Sequence, residues 1–208
     1  MQILTENYNK QINEIHSQYL HTISPLIMSI EVLDGEFPIE ILNEIRSIFT
    51  HLSKCNLSDD ATIIERNISK ANSHIKRAII DCFKYSCLAF EDSYKGFDTN
   101  YKNVDLSEVD NGEFLPGLSV KRKLAKEKIT QAKLLELSTS DENTLYGAYE
   151  DAHNAYADVY NLINNSFEKL ERIKRKAKIR DIKATIGFVV GIIGTLLGLL
   201  GIIIGILK

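Results

Sequence analysis

The sequence predicts an all-α protein: a helical bundle over residues 1–168, continued by a basic stalk, 169–183, into one transmembrane helix, 184–207. Three observations carry that prediction. Apolar residues recur at i, i+3, i+4 and i+7 through most of the first 168 positions, the period of a helix with one buried face. The chain of 208 residues holds only 11 Gly and three Pro, and six of the glycines fall in the terminal apolar stretch, which leaves too few breakers for a strand-and-turn architecture. From Ala184 to Leu207, 24 residues pass without a charge.

The first helix is expected from about Leu4 to Tyr19, with Leu4, Tyr8, Ile12, Ile15 and Tyr19 on one face. A kink or restart is expected at Ser24-Pro25, because proline removes a backbone donor and crowds the preceding turn. Asp34-Gly35 makes a turn, and a second helix starts at Pro38 and runs to about Cys55 on a stripe of Ile41, Leu42, Ile45, Ile48, Phe49 and Leu52. After the start signal Ser58-Asp59-Asp60, a third helix is expected over 60–93, with Ile64, Ile68, Ala71, Ile75, Ile79, Cys82 and Phe90 along one side. Asp-Thr-Asn, Asp-Asn-Gly and Leu-Pro-Gly clusters predict a loop over 96–117. A weaker helix follows over 118–138, and Ser140 or Asp141 caps a last one. No Gly or Pro separates Ala148 from Thr185, so this last helix is expected to run unbroken into the membrane.

An α-helix of 24 residues is about 36 Å long, against roughly 30 Å of bilayer hydrocarbon. Residues 184–207 therefore span once, as a C-terminal tail anchor, with Lys208 snorkelling at the far interface. Gly187, Gly191, Gly194, Gly198, Gly201 and Gly205 alternate by four and three, which puts all six on one stripe. In lipid, small residues act by letting backbones approach closely, so the stripe reads as a helix–helix contact face. The bland reading stands beside it: glycine is common in membrane helices, and any apolar tail anchors. The span's only polar side chains are Thr185 and Thr195, so a lumen between such helices would be apolar and gate by dewetting.

Charge divides the chain. Residues 1–168 carry 16 basic and 26 acidic side chains, a net −10, whereas 169–183 carry eight basic and two acidic, a net +6. By the positive-inside rule the basic segment stays cytoplasmic, and Arg172, Lys174, Arg175, Lys176, Lys178, Arg180 and Lys183 are its expected contacts with anionic headgroups. The charged N-terminus has no signal-peptide core, which keeps the bundle in the cytoplasm and the span in the inner membrane. Cys55, Cys82 and Cys87 form no short pair, so neither a disulfide framework nor a zinc site is expected; no metal or cofactor is. His16, His21 and His153 stand alone, and Tyr146, Tyr149, Tyr156 and Tyr160 read as packing.

The candidate chemistry lies in Ile41-Leu-Asn-Glu-Ile-Arg46-Ser-Ile-Phe-Thr-His51-Leu, where Arg46 and His51 are five apart in an amphipathic helix preceded by Glu44. Here, with support from the following Ala71-Asn-Ser-His-Ile-Lys-Arg-Ala-Ile-Ile-Asp-Cys-Phe-Lys-Tyr85, residues 1–168 resemble the HEPN-like superfamily of helical, nucleotide-binding and RNA-cleaving domains. The resemblance implies a dimer with a composite site in which His51 does acid/base work and Arg46 holds the scissile phosphate. Both residue types suit those tasks, since imidazole titrates near neutrality and guanidinium matches phosphate geometry. Against this, Arg46 and His51 lie about 140° apart on the helical wheel and flank the core as border residues do. The net −10 of the bundle also repels a polyanion. Arg66 and His74 form a second, longer-spaced pair, with His74 and Arg77 placed to line an interface or a core border.

Two functions follow. In one, the chain is an oligomeric membrane effector whose helices gather into a pore or membrane-perturbing bundle, triggered by a defence-system partner protein or a nucleotide signal. A HEPN-like domain fused to one span resembles the accessory pore proteins of bacterial CRISPR and other anti-phage systems, by architecture alone. In the other, it is a membrane-tethered ribonuclease with RNA as substrate. A tail-anchored scaffold is the third and plainest reading, so enzymatic activity is not the leading expectation.

Overall fold

The computed structural model describes the backbone of residues 2–206 and the side-chain surroundings of residues 6–199. Among these residues every regular element is helical, and one C-terminal helix is long and apolar enough to cross a membrane. Leu207 and Lys208 lie outside the described residues, as does the side chain of Leu4.

Helices α1 (Gln2–Gln18) and α2 (Ser24–Asp34) form one rod, joined by a π-helical turn over Tyr19–Ile23. Pro25, in the first turn of α2, has no N–H to donate, and the wider turn absorbs that register change: Ser24 N–H reaches back to the Tyr19 carbonyl. The expected kink is thus a π turn. Gly35 ends α2 in the left-handed conformation, φ 76°, where its N–H caps Glu31. Helix α3 spans Ile39–Asn56, with Pro38 as its extended N-cap. Its buried face is narrower than the sequence stripe: Ile41, Ile48, Leu52 and Cys55 are buried, whereas Leu42 and Phe49 are half exposed.

Helix α4 (Ala61–Tyr101) is the axis of the bundle and packs against α1, α2, α3 and α6. Asp60 caps it, accepting from the N–H groups of Thr62 and Ile63. It runs two turns past the expected end at residue 93. Tyr94, Phe97 and Tyr101 carry its buried face onward, and Phe97 meets Phe114 at a tilt of 57° with ring centroids 6.1 Å apart. The loop expected over 96–117 is correspondingly short, since α5 (Phe114–Ser138) already includes Pro116 in its first turn. What remains, residues 102–113, contains a 3₁₀ turn, Val109–Gly112. Helix α6 (Glu142–Asn165) pairs with α5 and is capped by Asp141 through Asn143 and Thr144.

The expected unbroken helix into the membrane is interrupted at Ser166, after which α7 runs from Phe167 to Ile206. Asn164-Asn165-Ser166 are poor helix formers, and the buried Ser166 hydroxyl bonds Asp110 at 3.4 Å instead of facing solvent. The base of α7 belongs to the bundle: Leu170 is fully buried, Lys169 pairs with Asp110, and Tyr101 donates to Glu171 at 2.6 Å. Beyond Ala177 the described residues of α7 are all exposed.

Two apolar clusters hold the bundle. One gathers Ile15, Ile23 and Ile30 with α3 and the first half of α4; the other gathers the second half of α4 with the 102–113 loop, α5, α6 and Leu170. Cys55, Cys82 and Cys87 are free and buried, packing as small apolar residues. Tyr149 and Tyr156 are buried, Tyr146 meets Phe83 edge-on at 5.6 Å, and Tyr160 lies 5.3 Å from Phe90.

Candidate functional site

The polar cluster with chemical potential lies along the seam of α3 and α4. The short turn after Asn56 folds these helices antiparallel, so residues near the end of α3 face the start of α4. Glu44 and His51 are seven apart on α3, Asn67 and His74 seven apart on α4, and two helical turns return a side chain to the same face. His51 consequently meets Asn67, with Nδ1 to Oδ1 at 2.8 Å, and His74 meets Glu44, with Nδ1 to Oε2 at 2.6 Å. The two imidazoles stack between these contacts, with centroids 5.3 Å apart and planes 22° apart.

The partners determine the tautomers. Asn67 is buried and its amide nitrogen donates to the Ile63 carbonyl at 2.8 Å, which leaves Oδ1 as the acceptor facing His51. His51 therefore donates from Nδ1. A carboxylate only accepts, so His74 also donates from Nδ1, to Glu44. In the neutral tautomers, both Nε2 atoms then carry lone pairs. Arg77 lies 3.3 Å from His74 Nδ1, but two donors cannot share a bond; its guanidinium pairs with Glu44 at 3.7 Å.

No family model, curated protein or solved structure matches the chain.

The structure places the sequence candidates unevenly. Arg46 is exposed, and no side-chain hydrogen bond or ion pair joins it to His51 among the described residues. The guanidinium beside the imidazoles is that of Arg77. Arg66 is exposed. Asn67 escaped sequence reasoning, although its seven-residue spacing to His74 repeats that of Glu44 to His51. His16 and His21 are exposed, whereas His153 lies against Phe83 and Phe90, at 5.2 and 5.8 Å, with a buried, unpartnered Nδ1. Burial holds that imidazole below its ordinary pKa. Among the described residues no three His, Cys, Asp or Glu side chains group as metal ligands.

The second candidate surface is the glycine face of α7. A Cβ added at Gly187, Gly191, Gly194 or Gly198 would meet nothing within 4 Å outside its own helix, so this face is bare within one chain. Gly201 and Gly205 continue the helix, but their surroundings lie outside the described residues. Thr185 donates to the Asp181 carbonyl and Thr195 to the Gly191 carbonyl, each at 2.9 Å. Both hydroxyl donors of the span are thus satisfied by their own helix. In the basic stalk Arg172, Arg175, Lys176, Lys178, Arg180 and Lys183 are exposed, while Lys174 turns back over the Tyr101 ring at 5.0 Å.

Proposed function

We propose that this chain is a self-associating effector of the bacterial inner membrane, in which a cytoplasmic helical bundle governs the gathering of C-terminal helices into a membrane-perturbing bundle. The observation that carries the reading is the bare glycine face on an apolar helix with no residue of its membrane window buried by the rest of the chain. Helices in lipid associate through close backbone packing, and this face offers it. The six exposed basic residues of the stalk suit anionic headgroups on the cytoplasmic side. A role in anti-phage defence rests on the resemblance in architecture to accessory membrane effectors of such systems.

Replacing Gly194 and Gly198 by Leu inserts bulk at the contact and preserves apolarity. The expected result is loss of higher-order assembly in detergent and loss of depolarisation in expressing cells. The pair Val189→Ile and Leu196→Ile, on the opposite side of the helix, should do neither. Assembly and membrane potential unchanged by the glycine double variant would reduce the helix to an anchor.

One observation favours a second reading, a tethered ribonuclease: His51 is held from behind by a buried asparagine, which frees Nε2 to move a proton. In that reading His51→Ala abolishes RNA cleavage by a folded protein. Diverse RNAs left uncut by the wild-type chain would remove catalysis from the account.

A further inference from the structure

A cavity of about 660 Å³ opens between α4, α5 and α6, with Glu40 of α3 at its edge; its lining includes neither the stacked histidines nor the membrane helix, and its Asp81 lies two turns beyond His74 on α4. That is the size of small-molecule sites in general. Its apolar wall is built by Leu88, Ile129 and Leu137. Cys87 belongs to the same wall: burial pushes its thiol up to about 12, so it packs as a neutral group and not as a nucleophile.

The charges of the cavity do not balance. Four carboxylates line it, Glu40, Asp81, Glu91 and Glu136, against two lysines, Lys84 and Lys133, a net −2. Lys84 pairs with Glu136 at 2.6 Å and, more loosely, with Asp81 at 3.6 Å, so one ammonium serves two carboxylates. The Asp81 side chain is only 26% exposed, and burial, opposed by Lys84 and aided by Glu44 and Glu136, raises its pKa. Its carboxylate is thus partly desolvated and shares the Lys84 ammonium with Glu136. Three tyrosines line the same cavity: the Tyr149 hydroxyl donates to Glu136, that of Tyr156 donates to Glu91 at 3.2 Å, and Tyr85 lies beside Glu40. Their rings are held in place, and an aromatic face attracts cations; Lys84 Nζ already lies 5.0 Å from the Tyr149 centroid.

We propose that this cavity binds an organic cation, an ammonium group on an aromatic or branched apolar body, with the ammonium paired to Asp81 and the body against Leu88 and Ile129. Anionic ligands, nucleotides among them, meet repulsion from the same carboxylates. The site stands apart from any account of the membrane helix, because its walls belong to the bundle alone.

The test uses the full chain in phosphatidylcholine nanodiscs at pH 7.5, with empty nanodiscs as the blank, titrated by ligand-observed NMR. Three probes of one shape separate charge from apolarity: 2-phenylethylammonium, 2-phenylethanol and phenylacetate. The ammonium is expected to bind at least tenfold more tightly than the alcohol, and phenylacetate not at all. Asp81→Asn should weaken the ammonium at least tenfold and leave the alcohol unchanged. Lys133→Glu, at an exposed position, should tighten the ammonium several-fold, and it supplies the same test with opposite sign if Asp81→Asn does not fold. Equal affinity for the three probes, preference for the anion, or no response of the ammonium to either variant overturns the proposal.

Discussion

His51 and His153 show how far the role of a histidine depends on what stands behind it. His51 has a buried amide oxygen to receive its Nδ1 proton, so its outer nitrogen is free for chemistry. His153 has two phenylalanine rings and no partner for Nδ1, so charging it is costly. The sign of the consequence follows by linkage. Above pH of about 6.5 both the folded and the unfolded chain hold His153 neutral, and it imposes no pH dependence. Below that value the unfolded chain takes up the proton first, because the folded pKa is lowered, and stability falls as the pH falls towards the folded value. His153→Leu removes the unpartnered atom, with an expected gain of about 1 kcal/mol at neutral pH. It should also flatten the stability profile between pH 7 and 5. Urea unfolding of the two proteins across that range measures both effects; parallel profiles would show that His153 takes up its proton in the folded chain as readily as in the unfolded one, and that burial does not lower its pKa. Arg46 makes the complementary point. Its spacing to His51 was legible, but so was the 140° between them, and the structure agrees with the angle: Arg77, from the neighbouring helix, is the cation at the imidazoles. Asn67 was not legible as a site residue, because an asparagine in a helix carries no signal until the facing helix is placed.

Among the elements, those with local causes were readable and those with tertiary causes were not. Asp60 and Asp141 cap helices where their side chains bond N–H groups two and three residues on, a matter of local sequence. The Asp-Thr-Asn, Asp-Asn-Gly and Leu-Pro-Gly clusters predict a loop over 96–117, yet aromatic packing by Tyr94, Phe97, Tyr101 and Phe114 extends α4 and α5 into it from both ends. The break at Ser166 has its partner 56 residues away. That partner, Asp110, and its neighbour Asn111 are the two non-glycine residues with positive φ, 50° and 55°, among the described residues. Left-handed backbone disfavours side chains, so the clip that holds the stalk base is strained. Two substitutions should therefore act with opposite signs. Asp110→Ala removes the acceptor for Ser166 and Lys169 and fits the left-handed region less well, costing about 1–2 kcal/mol. Asn111→Gly relieves strain and should gain ~0.5–1 kcal/mol. Hydrogen exchange of amides 162–173 reads this directly: faster in the first variant, slower in the second. Equal rates in wild type and both variants would show that the clip does not hold the stalk.

For the whole molecule, charge and apolarity are segregated along the chain: a bundle of net −10, a stalk of net +6, then an uncharged helix. This order was legible from composition because it needs no tertiary contact to exist. The glycine face was legible for the same reason, and the structure adds that nothing within one chain covers it at Gly187, Gly191, Gly194 or Gly198. If copies of the chain cover it for one another, the contact must follow the glycines around the helix. The most direct measurement is disulfide scanning in a variant with Cys55, Cys82 and Cys87 replaced by Ala, with single cysteines placed in turn from residue 187 to 199 and oxidised in native membranes. The account predicts dimer yield peaking at 187, 191, 194 and 198, with minima at 189 and 196 on the opposite side. Uniform yield along the helix, or none at the glycine positions, would contradict it.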